Sequence, residues 1–204
     1  MEQMGLRERK KARTRSLIAD SAARLFAERG YEQVAVVDVA READVSEQTV
    51  YNYFPTKEHL VVDREAFVAN QLSELIRSRP PSVSPAAAVR EFVLDFVDEI
   101  RRIPNEEWRG ELGHLSAISP SVHRLVLEMT DRRGSAIAAD ISASTPVKPE
   151  IARIQGMALA NVFQLIIIES GQRTQKGHSQ ARIAAELRPI VENILVELDR
   201  WFRT

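Results

Sequence analysis

The chain has no cysteine in its 204 residues. That excludes disulfides, thiolate metal ligands and cysteine nucleophiles, and it suits a cytoplasmic protein. Glycine is scarce, with eight residues, and strand-type alternation is nearly absent, so an all-β fold is excluded. No uninterrupted run of eighteen apolar residues occurs, so no membrane-spanning helix and no membrane partner are expected. The basic N-terminus is followed by no apolar segment, so a secretory leader is not expected. Catalytic motifs are missing too: no His-Glu-x-x-His, no glycine-rich phosphate loop and no Gly-x-Ser-x-Gly. One Glu-x-x-His pair, Glu111 and His114, has neither the second pair nor the extra carboxylates that a di-iron bundle needs. No catalytic residue, metal site or cofactor is therefore expected, and the chain does not read as an enzyme.

What is present is a large apolar fraction, 44%, enough for one large core or two small ones. The net charge of −1 conceals an asymmetry. Arg7, Arg9, Lys10, Lys11, Arg13 and Arg15 against Glu2 and Glu8 give the first fifteen residues +4, which leaves −5 on the rest. A basic end on an acidic body orients a molecule on a polyanion and keeps the body off it. A solubilising tail would carry the same charges.

Helical periodicity runs through the chain, and the breakers fall in clusters at Gly30, 79–85, 145–149 and 170–177. Pro104 and Pro120 suit helix starts. These signals predict an all-α fold of about nine helices near 8–29, 36–43, 46–53, 57–78, 86–102, 105–117, 120–143, 149–171 and 179–202. The first helix buries Ile18, Ala22, Leu25 and Phe26 on one stripe, and its basic N-terminal half is expected to protrude.

The stretch from Val36 to Phe54 carries the most specific pattern. Val36, Val39, Ala40 and Ala43 share a face of one short helix. Asp44 and Val45 follow, then Ser46 as the cap of a second short helix with Val50 and Phe54 inward. Two short helices about a tight turn form a helix-turn-helix, whose second helix can enter the major groove. Its opposite face shows Glu47, Gln48, Tyr51 and Asn52. Gln and Asn can pair with adenine, and Glu can accept from cytosine N4. Ser46, Thr49, Tyr53 and Lys57, with Arg9 and Arg13 of the arm, are placed to meet phosphates of double-stranded DNA. The competing reading is a helical interaction protein with an incidental basic tail, and salt-dependent DNA binding separates the two.

Residues from about Arg13 to Leu60 resemble the tetracycline-repressor (TetR) family of bacterial regulators. The resemblance lies in Ala27-Glu28-Arg29-Gly30-Tyr31, in Val39-Ala40 and Val45-Ser46, and above all in Thr49-Val50-Tyr51-Asn52-Tyr53-Phe54-Pro55-Thr56-Lys57-Glu58. It covers the first third of the chain. It implies a DNA-binding domain over 1–60, a ligand-binding and dimerisation domain over 61–204, and a homodimeric repressor released from a palindromic operator by a small-molecule effector. Two departures concern stability alone. Asp44 stands where such proteins usually have Gly, and Ala35 where they often have a capping Thr.

The C-terminal body is read from its apolar faces. The helix over 149–171 is apolar nearly all round, and the last helix has two stripes, so a partner copy is expected to cover what one chain leaves open. Leu159, Phe163, Ile166, Ile167, Val191, Ile194, Leu195 and Leu198 are the expected interface. Pro189 should kink the last helix. A pocket is expected among the middle helices, lined by Phe92, Phe96, Trp108, Leu112, Leu115, Leu125 and Met129, with His114, His123 and Glu128 as polar candidates. Each of these side chains also fits a plain core or surface role. Gly110 and Gly113 lower helix propensity in the predicted sixth helix, which is expected to be weak and displaceable by a ligand near Trp108 and Met129; the alternative is that the two glycines only allow close packing with a neighbouring helix.

Overall fold

The computed structural model describes residues 6–62, 65–103 and 105–203. Pro104, expected to start a helix, lies outside them. The order is α1 (Leu6–Arg29), a 3-10 turn (Tyr31–Gln33), α2 (Val36–Glu42), α3 (Glu47–Tyr53), α4 (Lys57–Val61), α5 (Glu65–Ser78) and α6 (Pro85–Glu99). A second 3-10 turn (Ile100–Arg102) leads to α7 (Asn105–Trp108), α8 (Leu112–Ile118), α9 (Pro120–Ser144), α10 (Pro149–Gln175) and α11 (Gln180–Phe202). No strand occurs among the described residues.

The helix starts follow local chemistry. Ser84 and Ser119 accept hydrogen bonds from the amides of Ala87 and Val122, and each is followed by a proline, whose missing N–H costs nothing in the first turn. Ser179 caps α11 in the same way, accepting from Arg182. Gly30, at φ 81°, ends α1 in a conformation that side chains disfavour.

Two apolar cores result. The first joins Ile18, Ala22, Leu25 and Phe26 of α1 to Val39, Ala40, Val50, Phe54 and Leu60. It is not confined to the first sixty residues, because Leu115 of α8 and Val122 of α9 complete it. A hydrogen bond of 2.6 Å from Ser119 to Glu32 crosses the same junction. The second core gathers α5, α6, α9, α10 and α11 around Val93, Val97, Ile137, Phe163, Ile183 and Leu187.

Two expected helices are each observed as a pair. The fourth is α4 and α5, and the sixth is α7 and α8. The sixth divides at Arg109–Glu111, where α1 approaches so closely that a Cβ on Gly110 would overlap the carbonyl oxygen of Ala23. Gly113 and Gly171 likewise bring α8 and α10 into backbone contact. These glycines serve close approach between helices rather than a soft helix, which corrects the expectation drawn from propensity. α11 continues through Pro189 as one helix, and Pro189 is exposed.

α10 also departs from expectation. It is long and apolar enough to cross a membrane by length and composition, with a mean hydropathy of 1.6 over its most apolar window. A few interspersed polar residues hide this from a search for uninterrupted runs. Half of that window, 50%, is buried against the rest of the protein.

The turn between α2 and α3 explains the two unusual residues. Asp44 has φ 50°, the one positive value outside glycine among the described residues. The amide of Val45 bonds to Ala40 O at 3.0 Å and that of Asp44 to Arg41 O at 3.3 Å. This is the Schellman pattern, with Asp in the left-handed position that favours Gly. At the other end of α2, Asp38 accepts from the Ala35 amide at 2.9 Å, which is half of a capping box. Ala35 cannot supply the other half. Asp44→Gly should therefore stabilise the protein by up to about 1 kcal/mol, left-handed relief exceeding the entropy of the unfolded glycine. Ala35→Ser should add about 1 kcal/mol, and Asp44→Val should destabilise. Thermal unfolding checks this, at roughly 2–4 °C per kcal/mol for a chain of this size; an Asp44→Val protein as stable as the parent would contradict the assignment of the turn.

Candidate nucleic-acid interface

α3 is anchored on one side and open on the other. Val50 and Phe54 are fully buried in the first core. Glu47, Gln48, Tyr51 and Asn52 face solvent together. Ser46 caps the helix, its hydroxyl accepting from the Thr49 amide at 3.1 Å and lying 2.7 Å from the Thr49 hydroxyl. Gln48 Nε2 donates to Asn52 Oδ1 at 3.2 Å. That bond holds two amides on one ridge, a turn apart, where they can read adjacent base edges. Thr49 and Tyr53 are half-buried at the flanks.

The basic residues divide into two groups. Arg15 donates to the Tyr53 carbonyl at 2.9 Å, and its guanidinium stacks 4.5 Å from the Phe54 ring centre. It fastens the middle of α1 to the end of α3. Lys57, expected at a phosphate, turns inward instead. Its ammonium donates to Tyr31 O and sits 4.1 Å from the Tyr31 ring centre. Phe26 and Tyr31, with ring centres 5.2 Å apart, offer a cation a pocket closer than any external anion. Burial pulls the Lys57 pKa down, and burial, then Glu58 and Glu32, pushes the Tyr31 phenol up.

Arg9 and Arg13 are exposed on α1, which is helical from Leu6. Helical geometry puts Lys11, one turn before Arg15, on the side that faces α3, and puts Arg13 nearly opposite. Lys11 is exposed there; the arm's basic residues look alike in sequence until a contact such as that of Arg15 sets the helix rotation.

Residues 18–63, which hold this constellation, match the model of the "Bacterial regulatory proteins, tetR family". Those residues form a TetR-family domain. It is 23% identical over 150 residues to the transcriptional regulator TcmR of Streptomyces glaucescens, covering 74% of this chain and 62% of that one. It is 31% identical over 75 residues to the uncharacterised regulator YuxN of Bacillus subtilis, covering 36% and 26%. The alignments thus span less than two thirds of these relatives' own length. Among solved structures, native NalD of Pseudomonas aeruginosa, the secondary repressor of the MexAB-OprM multidrug efflux pump, superposes with a TM-score of 0.56 at 18% identity, covering 93% of this chain and 96% of that one. The fold is therefore that of TetR-family regulators along nearly the whole chain.

In the body beyond this TetR-family domain, the expected pocket residues do not converge. Phe92 and Phe96 are half-buried on α6 against Phe163, with ring centres 6.3 and 5.4 Å from it. Trp108 is buried elsewhere, its indole donating to Thr174 at 2.8 Å. Leu112 packs on the DNA-binding core. His123 and Glu128 are exposed on α9, and Glu128 borders a surface depression with Leu127, Asp131 and Arg132 rather than the other candidates. His114 is half-buried; burial, then Arg109, lowers its pKa, and its Nδ1 lacks a hydrogen-bond partner. Met129 is buried on α9.

The interface residues also divide. Leu159, Phe163, Ile166, Ile167, Val191 and Leu195 are buried within the protomer. They cannot form a surface for a second copy, because α10 and α11 use those faces on α6, α8 and α9. Ile194 and Leu198 remain accessible, beside Ala158, Leu165 and Ile168, in an apolar groove between α10 and α11. Ile151, Ile154 and Ile190, on the same two helices, are exposed.

Proposed function

We propose that this chain is a ligand-responsive transcriptional regulator that binds a palindromic operator as a homodimer and represses until a small molecule releases it. The observation that carries the reading is the outer face of α3, where Glu47, Gln48, Tyr51 and Asn52 stand exposed on a helix whose inner face is fully buried. The apolar groove between α10 and α11 supports a two-fold partner, since a second copy would bury it. Two α3 helices would then enter successive major grooves, with half-site centres about 34–36 Å apart or one turn more. Repression is carried over from the family, whose members mostly block transcription, and a cytoplasmic location follows from DNA as the partner. The division into residues 1–60 and 61–204 serves as a functional boundary, although Leu115 and Val122 bridge it.

The test begins with an operator selected from random duplexes by the protein itself. Gln48→Ala and Asn52→Ala should each weaken binding by about 1–3 kcal/mol and relax specificity at one position. Lys11→Ala should weaken binding to all sequences alike and lower the salt slope by about one. Wild-type affinity and specificity in both α3 variants would remove the base-reading role from this face.

A further inference from the structure

α10 keeps an open face as well as a buried one. Ile151, Ile154, Ala158, Leu165 and Ile168 are exposed or half-exposed along it, and Asn161 occupies the one position of the series that is not apolar. With Asn161 included, the spacing alternates between three and four residues, which is that of a seam between two long helices. Beside it, α11 shows Ile190, Ile194, Leu198 and Trp201. The two series are centred at one level. The midpoint of the first falls between Ala158 and Asn161, that of the second between Ile194 and Leu198, and all four of these residues line the same groove.

A two-fold partner sets one residue against another and the second against the first, so a face that accepts it must match itself when turned end for end. This face does. About its common midpoint, Ile151 meets Ile168 of the second copy, Ile154 meets Leu165, and Ile194 meets Leu198. The same symmetry brings residues near the axis close to their own copies, where a charge would repel its like. Ala158, Asn161, Gln164, Leu165, Ile194 and Leu198 are all neutral, and Glu169 at the edge of the groove is paired with Arg173. A lipid or an unrelated protein would impose no such symmetry.

Asn161 interrupts the series beside its centre. It donates to the Met157 carbonyl of its own helix at 2.8 Å. An amide closed into a seam costs stability unless its remaining hydrogen bonds are met, and for that reason it selects one alignment of the two helices. About this axis it faces the small Ala158 of the second copy, and the second copy's Asn161 stands in the next layer, within reach of an amide-to-amide hydrogen bond. A slip of one heptad would set it against Leu165 or Ile151 and shift the protomers by about 10 Å. That shift would also take the two α3 helices off the spacing of successive major grooves.

We propose that a second copy of this chain packs antiparallel on this face, its two-fold axis passing between Ala158 and Asn161 of α10 and between Ile194 and Leu198 of α11, and that Asn161 fixes this register. The proposal rests on the homodimer reading above and names the alignment and the residue that selects it.

The chain has no cysteine, so an introduced thiol reports on one position alone. The full chain carrying Ala158→Cys, treated with a short bis-maleimide, should become covalent dimer, because this position adjoins the axis. Ile151→Cys should not link to itself, since its two copies lie about 25 Å apart in this register. Ile151→Cys mixed with a longer, tagged Ile168→Cys chain should give the mixed covalent dimer after subunit exchange. Asn161→Leu should tighten the dimer by about tenfold, the worth of an amide imperfectly bonded in the seam, and should lower the yield of that mixed product. A dimeric protein in which Ile151→Cys links to itself, or Ala158→Cys does not, would overturn the register and leave the homodimer standing. An Asn161→Leu dimer with unchanged affinity and unchanged mixed product would overturn the role of Asn161. A wild type that stays a single chain in light scattering would overturn the homodimer reading and this proposal together, the open face then belonging to a lipid or a different protein.

Discussion

Leu165→Glu should convert the proposed dimer to a folded monomer and abolish tight operator binding. Leu165 is half-exposed in the groove between α10 and α11, so a carboxylate there is solvated in the isolated protomer and loses its water only when a second copy closes over it. Removing an unpaired charge from water costs about 3–5 kcal/mol, which corresponds to roughly two to four orders of magnitude in the dimer dissociation constant. Circular dichroism should remain helical, while light scattering should report one chain. Ile166→Glu, one residue on, should instead unfold the protein, because Ile166 is 1% exposed inside the protomer. Leu127→Glu is the control and should stay dimeric: Leu127 is equally apolar and more exposed, but it lies on α9 away from the groove. A dimeric Leu165→Glu protein would place the interface elsewhere.

Gly110→Ala should damage DNA binding from outside the DNA-binding domain. The new methyl would overlap the backbone carbonyl of Ala23, and a backbone atom cannot rotate away as a side chain could. α1 must then move relative to the turn between α7 and α8, at a cost of about 1–3 kcal/mol for overpacking. Because Arg15 fastens α1 to the end of α3, the recognition face moves with it. Gly171→Ala should wedge apart α8 and α10 in the same way, since its methyl would meet Gly113 O and Ala117. α8 carries Leu112 and Leu115 into the DNA-binding core, so both variants should weaken operator binding by more than their loss of thermal stability predicts. Dimerisation should persist in both. Operator affinity unchanged in both variants would show that the helix positions at this junction do not govern DNA binding.

The same junction shows where propensity misleads. Gly110 and Gly113 weaken a helix in isolation, yet each sits where another helix approaches too closely for a side chain. Lys57 followed the same logic. In sequence it is a basic residue after a recognition helix; in space, the Phe26–Tyr31 pair and a carbonyl hold it from within.

Local chemistry determined the helical class, the helix starts at Ser84, Ser119 and Ser179, the helix-turn-helix with its left-handed Asp44, and the outer face of α3. Each depends on residues within a turn or two of one another, where spacing dictates geometry. Tertiary structure alone decided which face of α10 and α11 remains open, which arm residue turns toward α3, and that the two cores meet through Leu115 and Val122. α10 shows the reason. A helix apolar on nearly every side offers no periodicity from which to choose a face, so its inner and outer residues are assigned only when α6, α8, α9 and α11 have taken the positions their own stripes require.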